Sequence, residues 1–335
     1  MIKINKFDIK VIEKNDVLGS SRLEFKISGK NIDYVVVNTI RRTIMSEIPM
    51  YAFNEFKFDK NTSIFHNNYM KLRLRQMPVW GIENTIDFVD YNQINNKVED
   101  TIQEGEEQED DIELEVEKSF NSTSLKQLNM FVNYKNKTND IVTVTTNDAK
   151  FYYEEKQIQS PYKIAIPLVK LQPNQEISFS AITKLGTEQE DAMYSAICIA
   201  GYKQINDNEF NFFLESRGQN SEKRILLVAL INIERRIRKF LKLLQENKIT
   251  EDDEHGQIIV NNEDNTLGNL ISRGMQQHNK ITFAGYNLPH PLAKKVMFHY
   301  KLVNGGKIKN VIEDVVEYYS ELFNNIQKFV ESQIR

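Results

Sequence analysis

Asp33-Tyr34-Val35-Val36-Val37-Asn38-Thr39-Ile40-Arg41-Arg42-Thr43-Ile44-Met45-Ser46-Glu47-Ile48, closed by Pro49, is the stretch from which the rest of the chain can be read. Val37, Ile40, Ile44 and Ile48 recur at helical spacing and form one apolar stripe, while Asn38, Arg41 and Arg42 fall together elsewhere on the cylinder. Pro49 ends the helix, because the residue before a proline is pushed out of helical geometry, and Asn31 or Asp33 supplies a cap at the start. Taken alone, such a helix is core on one side and solvated arginine on the other.

A second stretch follows the same plan. Gln257-Ile258-Ile259-Val260 reads as a short strand, Asp264-Asn265-Thr266 as a cap, and Leu267, Leu270, Ile271, Gly274 and Met275 as a helical stripe. Each short helix is followed by extended segments and later by a long amphipathic helix. These run from Ser221 to Leu244, carrying Ile237 and Leu241, and from Ile308 to Val330, carrying Ile312, Val315, Tyr319 and Phe323. Four such helices can bury their stripes against one another. The last stripe is too wide to be satisfied inside one small module.

Composition narrows the function. The chain has 335 residues and a formal charge of −4, room for two or three domains and no net field for nucleic acid or membrane. A single cysteine, Cys198, excludes a disulfide framework and any multi-cysteine metal site. No signal-like core opens the chain, and no run nears the roughly 18–20 apolar residues of a membrane span. A soluble intracellular protein is expected. Glu104 to Glu117 holds nine carboxylates in fourteen residues, read as a solvated acidic loop rather than a metal site, since no His or Cys accompanies them. Arg235, Arg236, Arg238, Lys239 and Lys242 give the first long helix a basic side. That side reads as a solvated or subunit-contacting face or, alternatively, as a nucleic-acid-binding module. Residues 51–58 alternate with a register change that implies a bulge. Val296, Phe298, Tyr300 and Leu302 alternate as a half-buried strand.

Val37-Asn38-Thr39-Ile40-Arg41-Arg42 through Pro49, with Asn61-Thr62-Ser63, Arg73-Leu74 and Met77-Pro78, resembles the α-like assembly subunits of cellular RNA polymerases. These are the N-terminal domain of the bacterial α subunit, the archaeal D subunit and the third-largest subunit of eukaryotic RNA polymerase II. Asn67-Asn68 stand where that family usually has an acidic pair. Glu263 to Leu270 and Phe283-Ala284-Gly285-Tyr286-Asn287-Leu288-Pro289-His290-Pro291-Leu292 are similar to the archaeal L subunit and the eleventh subunit of RNA polymerase II. Here Gly285, Pro289, His290 and Pro291 read as a structural turn between strands, not as a catalytic base.

The resemblance implies an α+β fold of two α-like dimerisation modules, each an antiparallel sheet plus helices, fused into an intramolecular pseudo-dimer with a mainly β domain inserted in the first. Expected boundaries are 1–80 and 203–247 for the first module, 81–202 for the insert, 248–256 for a linker and 257–335 for the second module. The dimer interface would comprise Val37, Ile40, Ile44, Ile237, Leu241, Leu267, Leu270, Ile271, Ile312, Val315, Tyr319 and Phe323. Asn38, Arg41 and Arg42 would contact a partner subunit. Many relatives carry a zinc or iron–sulfur cluster in the insert; between residues 81 and 202 this chain has only Cys198 and no histidine, so no cofactor is expected. The implied role is a non-catalytic platform in a DNA-directed RNA polymerase. It would join the largest and second-largest subunits and small assembly subunits, meet DNA or RNA only through the complex, and form no homodimer. A fusion of this kind fits the polymerase of a large DNA virus, in the virion and host cytoplasm, or the nucleus if the host is cellular.

Overall fold

In a computed structural model, the described residues are 7–17, 20–82, 127–154, 156–246, 254–290, 295–303 and 306–334. The acidic loop 104–117, Pro291 and most of the expected linker lie outside them. In chain order the main elements begin with β1 (Phe7–Val17), β2 (Ser20–Gly29), α1 (Tyr34–Ser46), β3 (Met50–Asn61), α2 (Asn67–Arg75), β4 (Leu128–Lys135), β5 (Val142–Thr145), β6 (Ala149–Tyr153) and β7 (Lys156–Ile158). There follow β8 (Pro167–Leu171), β9 (Glu176–Gly186), β10 (Ile197–Asn206), β11 (Glu209–Ser216), α3 (Glu222–Glu246), β12 (His255–Asn261), α4 (Asn265–Gln277), β13 (Ile281–Asn287), β14 (Lys295–Leu302) and α5 (Ile308–Gln333). The fold is mixed α+β, and every strand pairing among the described residues is antiparallel.

The chain divides into two compact units: residues 1–48 with 196–335, and residues 49–195. In the second unit β3 pairs with β9 from Met50↔Gly186 to Asn61↔Ile177, within a five-stranded sheet ordered β3-β9-β4-β6-β7. That pairing draws the strand after Pro49 into the second unit, so the seam falls at residues 48 and 196, earlier on both sides than the 80 and 203 expected from sequence. The register of β3 shifts at Phe53/Glu55 and again at Phe58/Lys60, the bulge its alternation implied. The strand–turn–strand from Ile166 to Phe179 splits between sheets, because β8 pairs with β5 while β9 joins β3 and β4. Phe53, Met130, Phe151, Leu171 and Phe179 fill this unit's core.

The first unit holds two sheets, β1-β2-β11-β10 and β12-β14-β13, and the four long-stripe helices. α1 packs on α3 and α4, and α5 packs on α3 and α4. The wide apolar stripe of α5 is thereby shared: Val311, Ile312, Val315, Tyr319, Leu322, Phe323 and Ile326 are all buried. Each aliphatic side chain so buried contributes about 1.5–3 kcal/mol before entropy is counted. Val37, Ile40, Ile44, Ile237, Leu267, Leu270 and Ile271 are buried as well, while Leu241 is half-buried. Where α4 crosses α5, Gly274 leaves no room for a side chain; a Cβ there would stand 2.6 Å from Val315 Cγ1 and 2.7 Å from the Tyr319 ring.

Candidate functional site

Polar side chains join the ends of the helices. α1 and α4 are each thirteen residues long, and an aspartate caps each. Asp33 Oδ1 accepts from the backbone N–H groups of Val35 and Val36 at 3.1 Å, so Asp33 rather than Asn31 is the cap. Asp264 Oδ1 accepts from Thr266 N at 2.8 Å and Leu267 N at 3.4 Å. These bonds satisfy backbone donors that the first turn of a helix leaves open.

Each cap also binds the opposite helix. Arg273 Nε of α4 donates to Asp33 Oδ2 of α1 at 3.0 Å, which holds the Arg273 guanidinium above its ordinary range. In the reverse sense Arg42 of α1 reaches the start of α4: its Nε donates to Thr266 Oγ1 at 2.8 Å and its Nη2 lies 3.7 Å from Asp264 Oδ2. Nine positions separate Asp33 from Arg42, and nine separate Asp264 from Arg273. The same Asp-to-Arg spacing is thus used twice, each cap meeting the other helix's arginine. Reciprocity of this kind, residue i on j and j on i, characterises a two-fold contact.

A third tie lies deeper. Arg236 of α3 sits with only 14 % of its side chain exposed, among Glu47 at the end of α1, Glu263 and Asp264. Its Nη1 pairs with Glu47 Oε1, and its Nη2 donates to Glu263 Oε2 at 2.6 Å and to Asp264 Oδ1 at 2.7 Å. Burial works against the Arg236 charge, but attraction to the three carboxylates outweighs it and holds the guanidinium above its ordinary range. Burial pushes Glu47 and Glu263 up, with Arg236 opposing that rise. Asp264 is also penalised by burial, yet the charge and hydrogen bonds of Arg236, with those of Thr266, hold it below the usual carboxylate range. Nearby, Asn232 Nδ2 donates to the Glu47 carbonyl at 3.1 Å, satisfying an acceptor at the end of α1.

Of the expected partner-contact residues, Asn38 and Arg41 stay together, with Arg41 Nε donating to Asn38 Oδ1 at 3.1 Å. Arg42, its side chain 44% exposed, also reaches α4. The basic side of α3 is likewise divided: Arg236 is buried among acids, and Arg238 pairs with Glu234 one turn earlier. Arg236, Glu47, Glu263 and Arg273 carry much of this geometry and are absent from the interface expected from sequence; the repeated Asp-to-Arg spacing points to Arg273 but to none of the other three. His290 and Pro289 lie exposed and Gly285 sits within β13. No group of three His, Cys, Asp or Glu side chains converges to hold a metal ion among the described residues, and no helix is long and apolar enough to cross a membrane.

The described residues form a mixed α+β protein of antiparallel sheets and helices, with side-chain ties between the ends of α1, α3 and α4. Residues 255–328 match the RNA polymerase Rpb3/Rpb11 dimerisation domain. Over 96% of its length the chain is 26% identical to a putative DNA-directed RNA polymerase subunit of Acanthamoeba polyphaga mimivirus, covering 93% of that protein. Over 28% of its length it is 30% identical to the probable DNA-directed RNA polymerases I and III subunit RPAC2 of Caenorhabditis elegans, covering 67% of it. A likeness of 25% to the DNA-directed RNA polymerase II subunit rpb3 of Dictyostelium discoideum spans 52% of this chain and about half, 51%, of that one. The chain belongs to the α-like assembly subunits of DNA-directed RNA polymerase.

Proposed function

We propose that this chain is the assembly platform of a multisubunit DNA-directed RNA polymerase and unites two α-like modules in one polypeptide. The observation that carries the proposal is the reciprocal pairing of Asp33 with Arg273 and Asp264 with Arg42 across α1 and α4. Separate subunits would have to find this contact by collision. A covalent link makes it local, at an effective concentration on the order of millimolar for a short flexible connection. Polymerisation chemistry belongs to the large subunits, and this chain works without zinc or an iron–sulfur cluster of its own. The face bearing Asn38 and Arg41 docks the second-largest subunit, Arg41 supplying a planar donor fork suited to carboxylates and carbonyls. Arg42, which bonds Thr266 and stays partly exposed, borders the same face. The full-length likeness to a mimivirus protein supports a viral polymerase as the setting, and with it the virion and host cytoplasm.

The test is affinity purification of tagged chain from cells that make the whole polymerase. Wild type should bring down the large catalytic subunits, and the double variant Asn38→Ala/Arg41→Ala should stay folded and lose them. A wild-type chain recovered without them would refute the proposal.

A further inference from the structure

We propose that the outward face of the β12-β14-β13 sheet is a second docking surface, and that it takes a protein segment mixing carboxylates with apolar side chains. The proposal goes beyond the assembly reading, which concerns the helices. Strand alternation sends Ile258, Val260, Val296, Phe298 and Tyr300 into the core. The opposite parity faces outward: Ile259 stands directly across from Met297, Gly285 from His299, and Phe283 from Lys301. Phe283 is 59% exposed and Ile259 48%. The Phe283 ring leans along its strand, with its tip 3.4 Å from where a Cβ on Gly285 would stand.

Single exposed apolar residues carry no message. Here they share a face with exposed Lys295, Lys301 and His255, and the three strands contain no aspartate or glutamate at all. The other sheet of the same unit is built differently. It answers its own charges, with Lys26 paired to Glu209, Arg22 3.8 Å from Glu24, and the Arg22 guanidinium 5.6 Å from the centre of the Phe213 ring. The β12-β14-β13 face therefore presents two lysines beside apolar anchors, with no carboxylate on its own strands to answer them, and a partner's anions would complement it. A single-stranded nucleic acid fits less well. Two lysines would release few counterions, and one exposed phenylalanine gives a single stacking platform.

The test uses the full chain and fluorescence anisotropy with three labelled probes: a synthetic peptide alternating Glu and Leu, its Lys-for-Glu counterpart, and oligo-dT. Two double variants, Ile259→Ser/Phe283→Ser and Lys295→Glu/Lys301→Glu, alter only outward positions, and melting curves confirm that they fold. The Glu–Leu peptide should bind wild type, and each variant should weaken it at least about tenfold, the loss of one interface hot spot. Absence of peptide binding, binding indifferent to both variants, or a preference for oligo-dT or the Lys peptide would overturn the proposal. Recovery of the large polymerase subunits is read separately in the purification described above, so neither result stands in for the other.

Discussion

Replacing Arg236 with methionine keeps most of the side-chain volume and removes the charge that three carboxylates share. The Glu47 and Glu263 side chains are 9% and 7% exposed, so they would face burial without a counter-ion. Breaking a buried ion pair from one side costs about 3–5 kcal/mol. For a unit of this size each kcal/mol moves Tm by about 2–4 °C, so a loss of about 6–20 °C is expected at roughly pH 8. The pH dependence has a definite sign. Glu47 and Glu263 already have folded pKa values raised by burial. Below the ordinary carboxylate range both states hold the proton; as pH rises, the unfolded chain releases it first, and stability falls until the folded groups ionise too. Arg236→Met removes the attraction that opposes burial, pushes both pKa values higher and widens that window. Its deficit relative to wild type should be largest at neutral to alkaline pH and should shrink towards about pH 5. Adding Glu47→Gln and Glu263→Gln should recover much of the loss. Circular-dichroism melts across pH decide the matter. An Arg236→Met chain within about 1 kcal/mol of wild type at roughly pH 8, or a loss that neither acid nor the glutamines relieve, would refute the reasoning.

At the α1 cap, Asp33→Asn keeps the capping oxygen and loses the ion pair to a partly exposed arginine, at a cost of about 0–1 kcal/mol, whereas Asp33→Ala loses the cap too and should cost about 1–2 kcal/mol more by urea melts. Gly274→Ala should destabilise the chain by about 1–3 kcal/mol, since its methyl meets Val315 and Tyr319; a neutral result would mean that the α4–α5 approach is looser than it stands here. Chelator treatment should leave the Tm unchanged, and elemental analysis should find no stoichiometric zinc or iron; a drop in Tm on metal removal would contradict the cofactor-free account. Arg235→Glu/Lys242→Glu should leave recovery of the polymerase subunits intact, and the wild-type chain alone should show no salt-sensitive DNA binding in a gel-shift assay.

Much of the helical architecture could be read from spacing, because a stripe at i, i+3, i+4 records which face is buried wherever the partner lies. α1, α3, α4 and α5 and the alternation of β14 were visible in this way. α2 was less so, since only Met70 and Leu74 of its nine residues are buried. The seam between the units depends on β3 pairing with β9 more than a hundred residues later, a choice that local pattern does not encode. Arg236 departs from its sequence pattern for a related reason: set among Arg235, Arg238 and Lys239 it reads as part of a basic face until carboxylates from positions 47, 263 and 264 arrive around it. Arg42 shows the same effect in milder form. It sits beside Arg41 in sequence, yet Arg42 reaches Thr266 and Asp264 at the start of α4 while Arg41 bonds to Asn38 of its own helix.

Native mass spectrometry of the purified polymerase tests the central claim most directly. The account predicts a particle containing the large catalytic subunits, one copy of this chain, and no separate partner of the archaeal L type. A particle with two copies of this chain, or with an additional L-type subunit beside it, would contradict the account.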